Sequence, residues 1–426
     1  AGAMQLEGCD LSCHSDAVIM VRGPNTRPVI SGNLIRDGTG AGLIVTDSAC
    51  PTIENNDICG HHLDGIVISD GADPTISDNR IYECKTTGVL VKAAGRGTLL
   101  NNDIRANAIS GIVVQDRASP VIRGNKIRDG QGKGVDMYEG AVGLLDSNEV
   151  SNNIMDGIIL KTGANPTIVN NKVFGNKGNG MYIFEGGMGV LEGNDVYENE
   201  SSGVAIRSKG NPTLRRNKVH HGRKNGVYVY LNGLGELEGN EIYENRMDGV
   251  SVKSGGNPTV TSNMIRDCRG KGIFVHEKGL GTFDGNDVVG NSSTGVTVAT
   301  GGDPTLRRNK VTDNKGHGVC VDKAQGLFEN NMVSGNSGDG VHVRNGGTPE
   351  VRGNEITASE GHGLHICRAA AGVYDGNQVH ANRKDGVTIR GAENPTVTQN
   401  IIYGNGGQAL NMCDGGTSTC EGNDLG

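Results

Sequence analysis

The stretch from Pro212 to Ile242, PTLRRNKVHHGRKNGVYVYLNGLGELEGNEI, decides the fold because it contains one phrase and the start of its repetition. Asn217 and Asn240 occupy equivalent places in the two phrases, 23 residues apart. The asparagine recurs at this spacing through the chain, with one step of 22 residues between Asn309 and Asn331. Self-similarity at a fixed short period is typical of repeat architectures. The column comprises Asn33, Asn56, Asn79, Asn102, Asn125, Asn148, Asn171, Asn194, Asn217, Asn240, Asn263, Asn286, Asn309, Asn331, Asn354, Asn377, Asn400 and Asn423.

Within each copy, apolar residues alternate with polar ones, which indicates short strands. Counted from the asparagine, apolar residues fall at positions −3, +2, +10 and +12; the first three of these in one copy are Leu214, Val219 and Val227. One copy cannot bury its apolar side alone, but stacked copies can. We therefore predict an all-β fold, a right-handed parallel β-helix solenoid of about 18 coils of 23 residues. Copies that begin with proline alternate with copies that begin with glycine, which makes a double repeat of 46 residues.

The repeated asparagines are predicted to be structural. Asparagine tolerates the left-handed backbone conformation of turns, and its amide can bond to copies of itself in neighbouring coils. A second, partial asparagine column at position +5, which includes Asn245 and Asn291, supports this interpretation. We expect the inward ladder to consist of positions −3, +2, +10 and +12.

Three segments are predicted along the chain. Residues 1–4, Ala-Gly-Ala-Met, look like a remnant of expression; residues 5–32 form an irregular N-terminal capping coil; residues 33–426 form the parallel β-helix repeat domain. The last copy stops inside a repeat unit, so we expect the sequence to be a domain of a longer protein.

Charge and composition exclude some classes of function. The net charge of −8 argues against a general nucleic-acid binder, which would carry a basic surface. No apolar run approaches the roughly 20 residues that a membrane-spanning helix needs. The ten cysteines lack the paired spacing of metal sites, which favours reduced thiols and an intracellular location in cytoplasm or nucleus. The terminal pairs Cys9/Cys13 and Cys413/Cys420 leave disulfides, and a secreted or periplasmic location, as the alternative.

One predicted strand face is rich in aromatic residues, which suggests a binding surface. Six aromatic residues occupy the outward positions +11 and +13, and basic residues occupy +13 in copies between them. Outward aromatic side chains disfavour solubility and often mark binding sites. The alternative is cross-strand stabilisation, in which Lys and Arg stems cover the rings. The predicted ligand-binding face comprises Tyr138, Lys161, Tyr182, Phe184, Arg207, Tyr228, Tyr230, Lys253, Phe274 and His276.

No catalytic residue is assigned from the sequence. Acidic residues near this face would suit the acid–base chemistry of a polysaccharide lyase or epimerase if they acted with Lys161, Arg207 and Lys253. The sequence nevertheless shows no compact cluster of acid, base and neutralising residues that breaks the repeat. The acidic residues concerned are Asp136, Glu139, Glu185 and Glu277.

Histidines form three groups that are candidate metal ligands by residue type. Surface histidines in turns are seldom ligands, so we expect neither a metal nor another cofactor. The groups are His61 with His62, His220 with His221, and the set His317, His342, His362 and His365.

The sequence from Asn211 to Asn245 resembles the β-helix region of the F-box only protein 11 family. More broadly, it is similar to repeats of carbohydrate-binding proteins and sugar hydrolases, including the NosD-like proteins. The shared pattern, N-P-T-[IL]-x-x-N-x-[IV] alternating with G-x-G-x-[LV]-E-x-N-x-[IV], covers nearly the whole chain. The resemblance implies the substrate-recognition part of a Skp1–cullin–F-box ubiquitin ligase. The sequence contains no F-box helices, so a Skp1-type adaptor is expected only if an F-box lies outside it.

Two functions follow from these observations. The first is a non-enzymatic scaffold that binds a protein or a glycan along the aromatic and basic face. The alternative is a polysaccharide-active enzyme, a lyase, epimerase or hydrolase, built on the same fold.

Overall fold

The computed structural model describes residues 4–415 and 417–426, without the side chain of Thr417. Three of the four residues in the predicted expression remnant lie outside the described part. The described residues form short strands and no helix, and the fold is a right-handed parallel β-solenoid of about 18 turns, which confirms the prediction. No helical segment suited to crossing a membrane occurs in the described residues.

The chain divides into two compact units. The first comprises the residues up to Ala205 together with Lys209–Lys218, and the second comprises Ile206–Ser208 together with Val219–Gly426. Within each unit, every coil contributes one strand to each of three parallel sheets.

The strands of the first and second sheets flank the repeated asparagine. First-sheet strands occupy positions −4 to −2 and second-sheet strands occupy +1 to +3, as Thr75–Ser77 and Arg80–Tyr82 do around Asn79. The predicted capping stretch contributes the strands Gln5–Glu7 and Asp10–Leu11, which pair with the following coil. Near the chain end, the first-sheet strands lengthen to Glu393–Thr398 and Thr417–Glu421.

The third sheet follows the glycine at position +9. Its early strands are Ala17–Arg22, Ala41–Thr46, Ile66–Ile68, Thr87–Val91, Ser110–Val114, Lys133–Met137, Ile158–Leu160, Met181–Ile183 and Val204–Arg207. Its later strands are Val227–Tyr230, Val250–Lys253, Ile273–His276, Val296–Ala299, Val319–Asp322, Val341–Arg344, Leu364–Cys367, Val387–Arg390 and Leu410–Cys413.

The core consists of the four predicted apolar columns. Residues at −3, +2, +10 and +12 are buried through most coils of both units. Phe283, Phe328 and Tyr374 fill the −3 column where the other coils place aliphatic residues. Alternation with a period of two along each strand therefore determines which side chains enter the core.

The repeated asparagines form a buried ladder of amides. In the second unit, Asn263 donates from both its backbone N and its Nδ2 to Oδ1 of Asn286, at 3.0 Å each. Its Nδ2 also donates to the carbonyl of Leu237 at 2.9 Å. The predicted bonding between copies is thus confirmed, but the predicted left-handed backbone is wrong. The residue before the asparagine has the positive φ instead, as Ser262 does at 55°.

The second asparagine column works in the same way and tolerates substitution. Asn291 accepts the backbone N–H of Cys268 at 3.0 Å and donates to Asn314. His61 replaces the asparagine of one early coil, where its Nδ1 accepts the Gly38 N–H. His61 is completely buried and therefore has a structural role in the described fold.

Candidate active site

The predicted face in the first unit is half-buried and charge-paired. The rings of Tyr182 and Phe184 lie 4.6 Å apart, and Lys161 Nζ lies 4.8 Å from the centre of the Tyr138 ring. Asp136 is buried beside them, 2.5 Å from Lys133 Nζ and 3.7 Å from Lys161 Nζ. The structure therefore places a lysine over an aromatic ring, as the cross-strand alternative expects.

The rings of the second unit form pairs within single strands. The Tyr228 and Tyr230 rings stack with centres 4.4 Å apart, and the Phe274 and His276 rings stack at 4.0 Å. Lys253, on the strand between the pairs, aligns with His276 in the strand register. All five side chains are half-buried, as is Arg207. The two stacked ring pairs are therefore partly exposed on the outer side of the third sheet.

The same sheet face changes chemistry further along the second unit. The strand pairing continues from Phe274 to Thr297, then to Cys320, and from there to His342 and His365. The aromatic platform, defined as Tyr228, Tyr230, Lys253, Phe274 and His276, therefore leads along one sheet to a group of imidazoles.

The imidazole group lies beside a ladder of hydrogen-bond acceptors, which the side chains at position +8 form along the coils. In several coils the +8 side chain accepts the backbone N–H of the +8 residue in the next coil. Asp248, for example, accepts the N–H of Lys271 at 2.8 Å through Oδ1. From His317 onward the column reads His317, Asp339, His362 and Asp385. The scaffold thus places a run of ionisable residues in one column.

Asp339 is the centre of the resulting cluster. Its Oδ2 accepts hydrogen bonds from Nδ1 of His342 at 2.8 Å and from Nδ1 of His365 at 3.1 Å. Its Oδ1 accepts the backbone N–H of His362 at 2.8 Å, and Nδ1 of His317 lies 3.5 Å from Oδ2. The Asp339 side chain is only 9% exposed. One buried carboxylate therefore orients two imidazoles from neighbouring coils.

The electrostatics keep this carboxylate ionised. Burial alone would raise the pKa of Asp339. The hydrogen bonds from His342 and His365 lower it by more than burial raises it, so the pKa lies well below its usual range. A neutral imidazole that donates Nδ1–H to Asp339 has its lone pair on Nε2, and the geometry of both rings fits this tautomer. Nε2 of His365 is shielded from solvent and has no hydrogen-bond partner among the described residues. His365 lines an open groove, so this nitrogen is the unsatisfied polar atom nearest to a ligand bound there after a small movement of the ring.

The outer two histidines are neutral. Nδ1 of His317 accepts the backbone N–H of Asp339 at 2.9 Å, so its proton is on Nε2. Burial, and secondarily the nearby His342, lower the pKa of His317 to about 4. Burial likewise lowers the pKa of His362, whose Nδ1 bonds to Thr388 at 2.9 Å.

An open groove of about 580 Å³ runs over the cluster. Arg344 is held by Asp322 at 2.8 Å and Arg390 by Asp414 at 2.5 Å. With three arginines and one aspartate among its lining residues, the groove is nevertheless cationic, and three imidazoles also line it. Its lining comprises His317, His342, Arg344, His365, Cys367, Arg368, Arg390, Gly391 and Asp414.

Two overlapping triads have the residue types of a metal centre: His317 with Asp339 and His342, and Asp339 with His362 and His365. The Nδ1 atoms of His317, His342 and His365 are already engaged with Asp339. The rings of His317 and His342 are also stacked at 18°, so their in-plane lone pairs do not converge on one point. Metal binding at either triad would therefore require a rearrangement.

The structure corrects one expectation from the sequence. From the sequence we expect no compact set of acid, base and neutralising residues and treat His317, His342, His362 and His365 only as candidate metal ligands by type; in the structure these histidines converge around Asp339, which was not among the candidates. The signal was present: histidine occupies position +8 at His317 and His362 and position +11 at His342 and His365, and it occurs at neither position in the other copies.

The pair His220 and His221 forms a separate small group. Nε2 of His221 lies 2.6 Å from a carboxylate oxygen of Glu244. The His220 ring stacks on the Tyr243 ring with their centres 4.6 Å apart, and it meets the His221 ring edge-on at 4.9 Å. These residues lie on and beside the strand Lys218–His220 of the second sheet. They are not among the residues that line the cationic groove.

Acidification is expected to destabilise the coils around His317. Its folded pKa of about 4 lies below the unfolded value of ~6.5, so the unfolded chain binds more protons between these limits. The free energy of unfolding should therefore fall as pH drops from 6.5 to 4, by about 2 kcal/mol after allowing for partial exposure.

Urea midpoints at pH 7 and 4.5 test this expectation. His317→Asn should flatten the decline, because asparagine keeps the acceptor without titrating. Asn225 provides the precedent, since its Oδ1 accepts the Asp248 N–H at the same repeat position. An unchanged pH dependence in the variant would contradict the assignment of this proton to His317.

The comparisons with known proteins establish the class. The profile of the right-handed β-helix region matches residues 16–160, 156–311 and 294–425. The chain therefore belongs to the right-handed β-helix family. No curated protein sequence matches it.

Solved structures with a similar fold differ widely in sequence. The periplasmic alginate epimerase AlgG is 13% identical with a TM-score of 0.39, over 91% of this chain and 77% of that chain. The catalytic unit of the GH87 α-1,3-glucanase from Streptomyces thermodiastaticus is 13% identical with a TM-score of 0.43, over 70% and 63%. Vag8, solved in complex with C1 inhibitor, is 12% identical with a TM-score of 0.56, over 99% and 100%. At these identities the similarity concerns the fold.

Proposed function

We propose that this chain is an enzyme that acts on an acidic polysaccharide by proton transfer, as a lyase or an epimerase. The observation that carries the proposal is the buried Asp339 carboxylate, which orients two imidazoles beneath an arginine-rimmed groove. Paired acid–base groups of perturbed pKa in a cleft are typical of catalytic centres.

The arginines suit a substrate with carboxylate groups. Guanidinium groups bind carboxylates through paired hydrogen bonds, and their charge stabilises negative charge that develops on a bound sugar acid. Arg344 and Arg390 end the two strands that flank the strand of Cys367, so they are two strands apart in the sheet. A uronate bound to them would place its carboxylate over the imidazoles.

The proposed chemistry is removal of the proton next to that carboxylate. His365 accepts the proton at Nε2, and Asp339 stabilises the imidazolium through Nδ1–H. Return of a proton from water to the opposite face gives the epimer, and the proton on His365 is then released to solvent. Departure of the glycosidic oxygen as an alcohol, with the proton held by His365, gives the unsaturated product instead. The aromatic platform further along the sheet suits neighbouring sugars, since sugar rings pack on aromatic side chains.

A panel of uronate polymers tests the proposal. Lyase activity appears as ultraviolet absorbance of the unsaturated product, and epimerase activity as deuterium incorporation from heavy water. Either signal, lost in His365→Ala, supports the proposal. Absence of both signals across the panel, with no binding of any polymer, would refute it.

A second candidate function is a non-enzymatic scaffold, similar to the substrate-recognition domain of an F-box ubiquitin-ligase subunit, with a protein or glycan on the aromatic platform. The stacked Tyr228 and Tyr230 rings favour it, because a pair of partly exposed rings offers apolar area on which a ligand can pack.

Replacing both tyrosines, in Tyr228→Ala/Tyr230→Ala, should weaken ligand binding about 30-fold, which corresponds to roughly 2 kcal/mol at an aromatic contact. A glycan array identifies the ligand, and calorimetry gives the two Kd values. Tyr403→Ala is the matched control, because Tyr403 is a similarly stacked ring on the second sheet. Equal affinity of the double variant and the wild type would exclude the platform as the binding surface.

A further inference from the structure

We propose that Cys367, His342 and Asp339 form a thiol–imidazole–carboxylate centre that cleaves acyl esters through a covalent thioester. Sγ of Cys367 lies 3.9 Å from Nε2 of His342, and Nδ1 of His342 lies 2.8 Å from Oδ2 of Asp339. Nucleophile, base and orienting carboxylate thus follow one another within hydrogen-bonding reach, as nucleophilic catalysis requires.

The scaffold places the three residues on two neighbouring coils. Asp339 precedes the strand Val341–Arg344, and His342 lies on it, facing outward. Cys367 ends the next strand, Leu364–Cys367, and lines the cationic groove. No other cysteine is among the residues that line this groove.

The imidazole is needed because the thiol is protonated at rest. Burial raises the pKa of Cys367, although the nearby Arg368 and Arg344 oppose the increase. The hydrogen bond to Asp339 leaves the lone pair of His342 on Nε2, toward the sulfur. His342 is therefore in the tautomer that can remove the thiol proton when an electrophile enters the groove.

The residues around Cys367 suit a nucleophile. Three arginines line the groove with Cys367, namely Arg344, Arg368 and Arg390. Arg344 and Arg390 are paired with carboxylates, but guanidinium groups this close to the sulfur still stabilise a thiolate and the oxyanion formed when it attacks a carbonyl. The surroundings thus favour acyl transfer at the sulfur.

The reaction balances with water as the only co-reactant. His342 takes the thiol proton while Sγ bonds to the carbonyl carbon of the ester. The C–O bond then breaks, and the alcohol leaves with the proton from Nε2. Water, deprotonated by His342, attacks the thioester, releases the carboxylic acid and restores the thiol.

The substrate class follows from the rim of the groove. An O-acyl ester on an anionic molecule matches the arginines. The narrower choice of an acylated acidic sugar as substrate rests on the proposed function. The ester chemistry itself does not depend on that function, because it uses Cys367 and His342 rather than the lone pair of His365.

Acylation by 4-nitrophenyl acetate tests the centre, with peptide mass spectrometry to locate the acetyl group. Cys320 is the internal control, because it is similarly buried, lies on the other strand that pairs with the His342 strand, and makes no hydrogen bond through Sγ among the described residues. We expect Cys367 to be acylated at least tenfold faster than Cys320 at pH 7. His342→Gln and Asp339→Asn should each remove this difference, whereas Cys320→Ser should leave the Cys367 rate unchanged.

Equal rates at Cys367 and Cys320 in the wild type would overturn the proposal, as would a full Cys367 rate in His342→Gln. An unchanged rate at Cys320 in each variant verifies that the fold persists. Because the probe carries no sugar, failure of the uronate assays leaves this result unaffected. Release of acetate from an O-acetylated uronate polymer, lost in Cys367→Ser, would show that the centre acts on an acylated acidic sugar.

Discussion

Asp339→Asn is expected to reduce turnover of a uronate polymer by about 10³-fold, within the usual range for acid–base groups. The amide oxygen can still accept the His362 N–H, as Asn225 accepts the N–H of Asp248 in another coil. The neutral amide cannot, however, stabilise an imidazolium at His342 or His365, so the base His365 loses the charge that stabilises its protonated form. The variant should therefore fold normally and lose activity.

Asp248→Asn is the matched control for this substitution. Asp248 has the same repeat position, and its Oδ1 accepts the Lys271 N–H at 2.8 Å, as Asp339 accepts that of His362. Initial rates measured at saturating polymer should be unchanged in this control, and thermal melting should be similar in both variants. Equal loss of activity in the two variants would assign the effect to the turn rather than to the imidazoles.

Asn286→Ala is expected to lower the free energy of unfolding by about 4 kcal/mol. Its amide serves the backbone and side chain of Asn263, the carbonyl of Val260 and Oδ1 of Asn309, all in the buried ladder. Each buried group left without a partner costs ~1–3 kcal/mol, and the coil cannot admit water to each one.

Chemical denaturation and amide hydrogen exchange measure this loss. The control is Asn257→Ala, at an exposed loop position of the same unit, which should change stability by less than about 0.5 kcal/mol. Exchange should accelerate most at the amides of Asn263 and its neighbours. A variant as stable as the wild type would mean that the ladder contributes little beyond the backbone pairing.

The fold was predictable because the sequence repeats. Strand period, core columns and the bonding of Asn263 to Asn286 all follow once equivalent residues of successive copies are stacked. The left-handed residue was misplaced by one position, at the asparagine instead of at Ser262. The side chain of asparagine suggests turns, but here it is occupied in the ladder, so the preceding residue makes the bend.

The candidate site was only partly predictable. The histidines are visible in the sequence, but His317 and His365 are 48 positions apart. Their approach depends on the exact path of the turn between the second and third sheets in successive coils, which the repeat pattern does not give. Position +8 was not part of the predicted inward ladder or aromatic face, so Asp339 was overlooked. The ionised state of its carboxylate depends on burial and on hydrogen bonds from other coils, which a sequence pattern does not report.

The asparagine column of the second unit also has a direction. From Asn240 to Asn400, each side-chain amide donates to the oxygen of the one after it, so that their dipoles add and polarise one another. The shortened coil keeps this chain intact, with Asn309 donating to Asn331 at 3.0 Å despite the missing residue. Gain or loss of whole coils during evolution would preserve this alignment. Duplication or deletion of entire repeats is therefore the easiest route to a longer or a shorter protein.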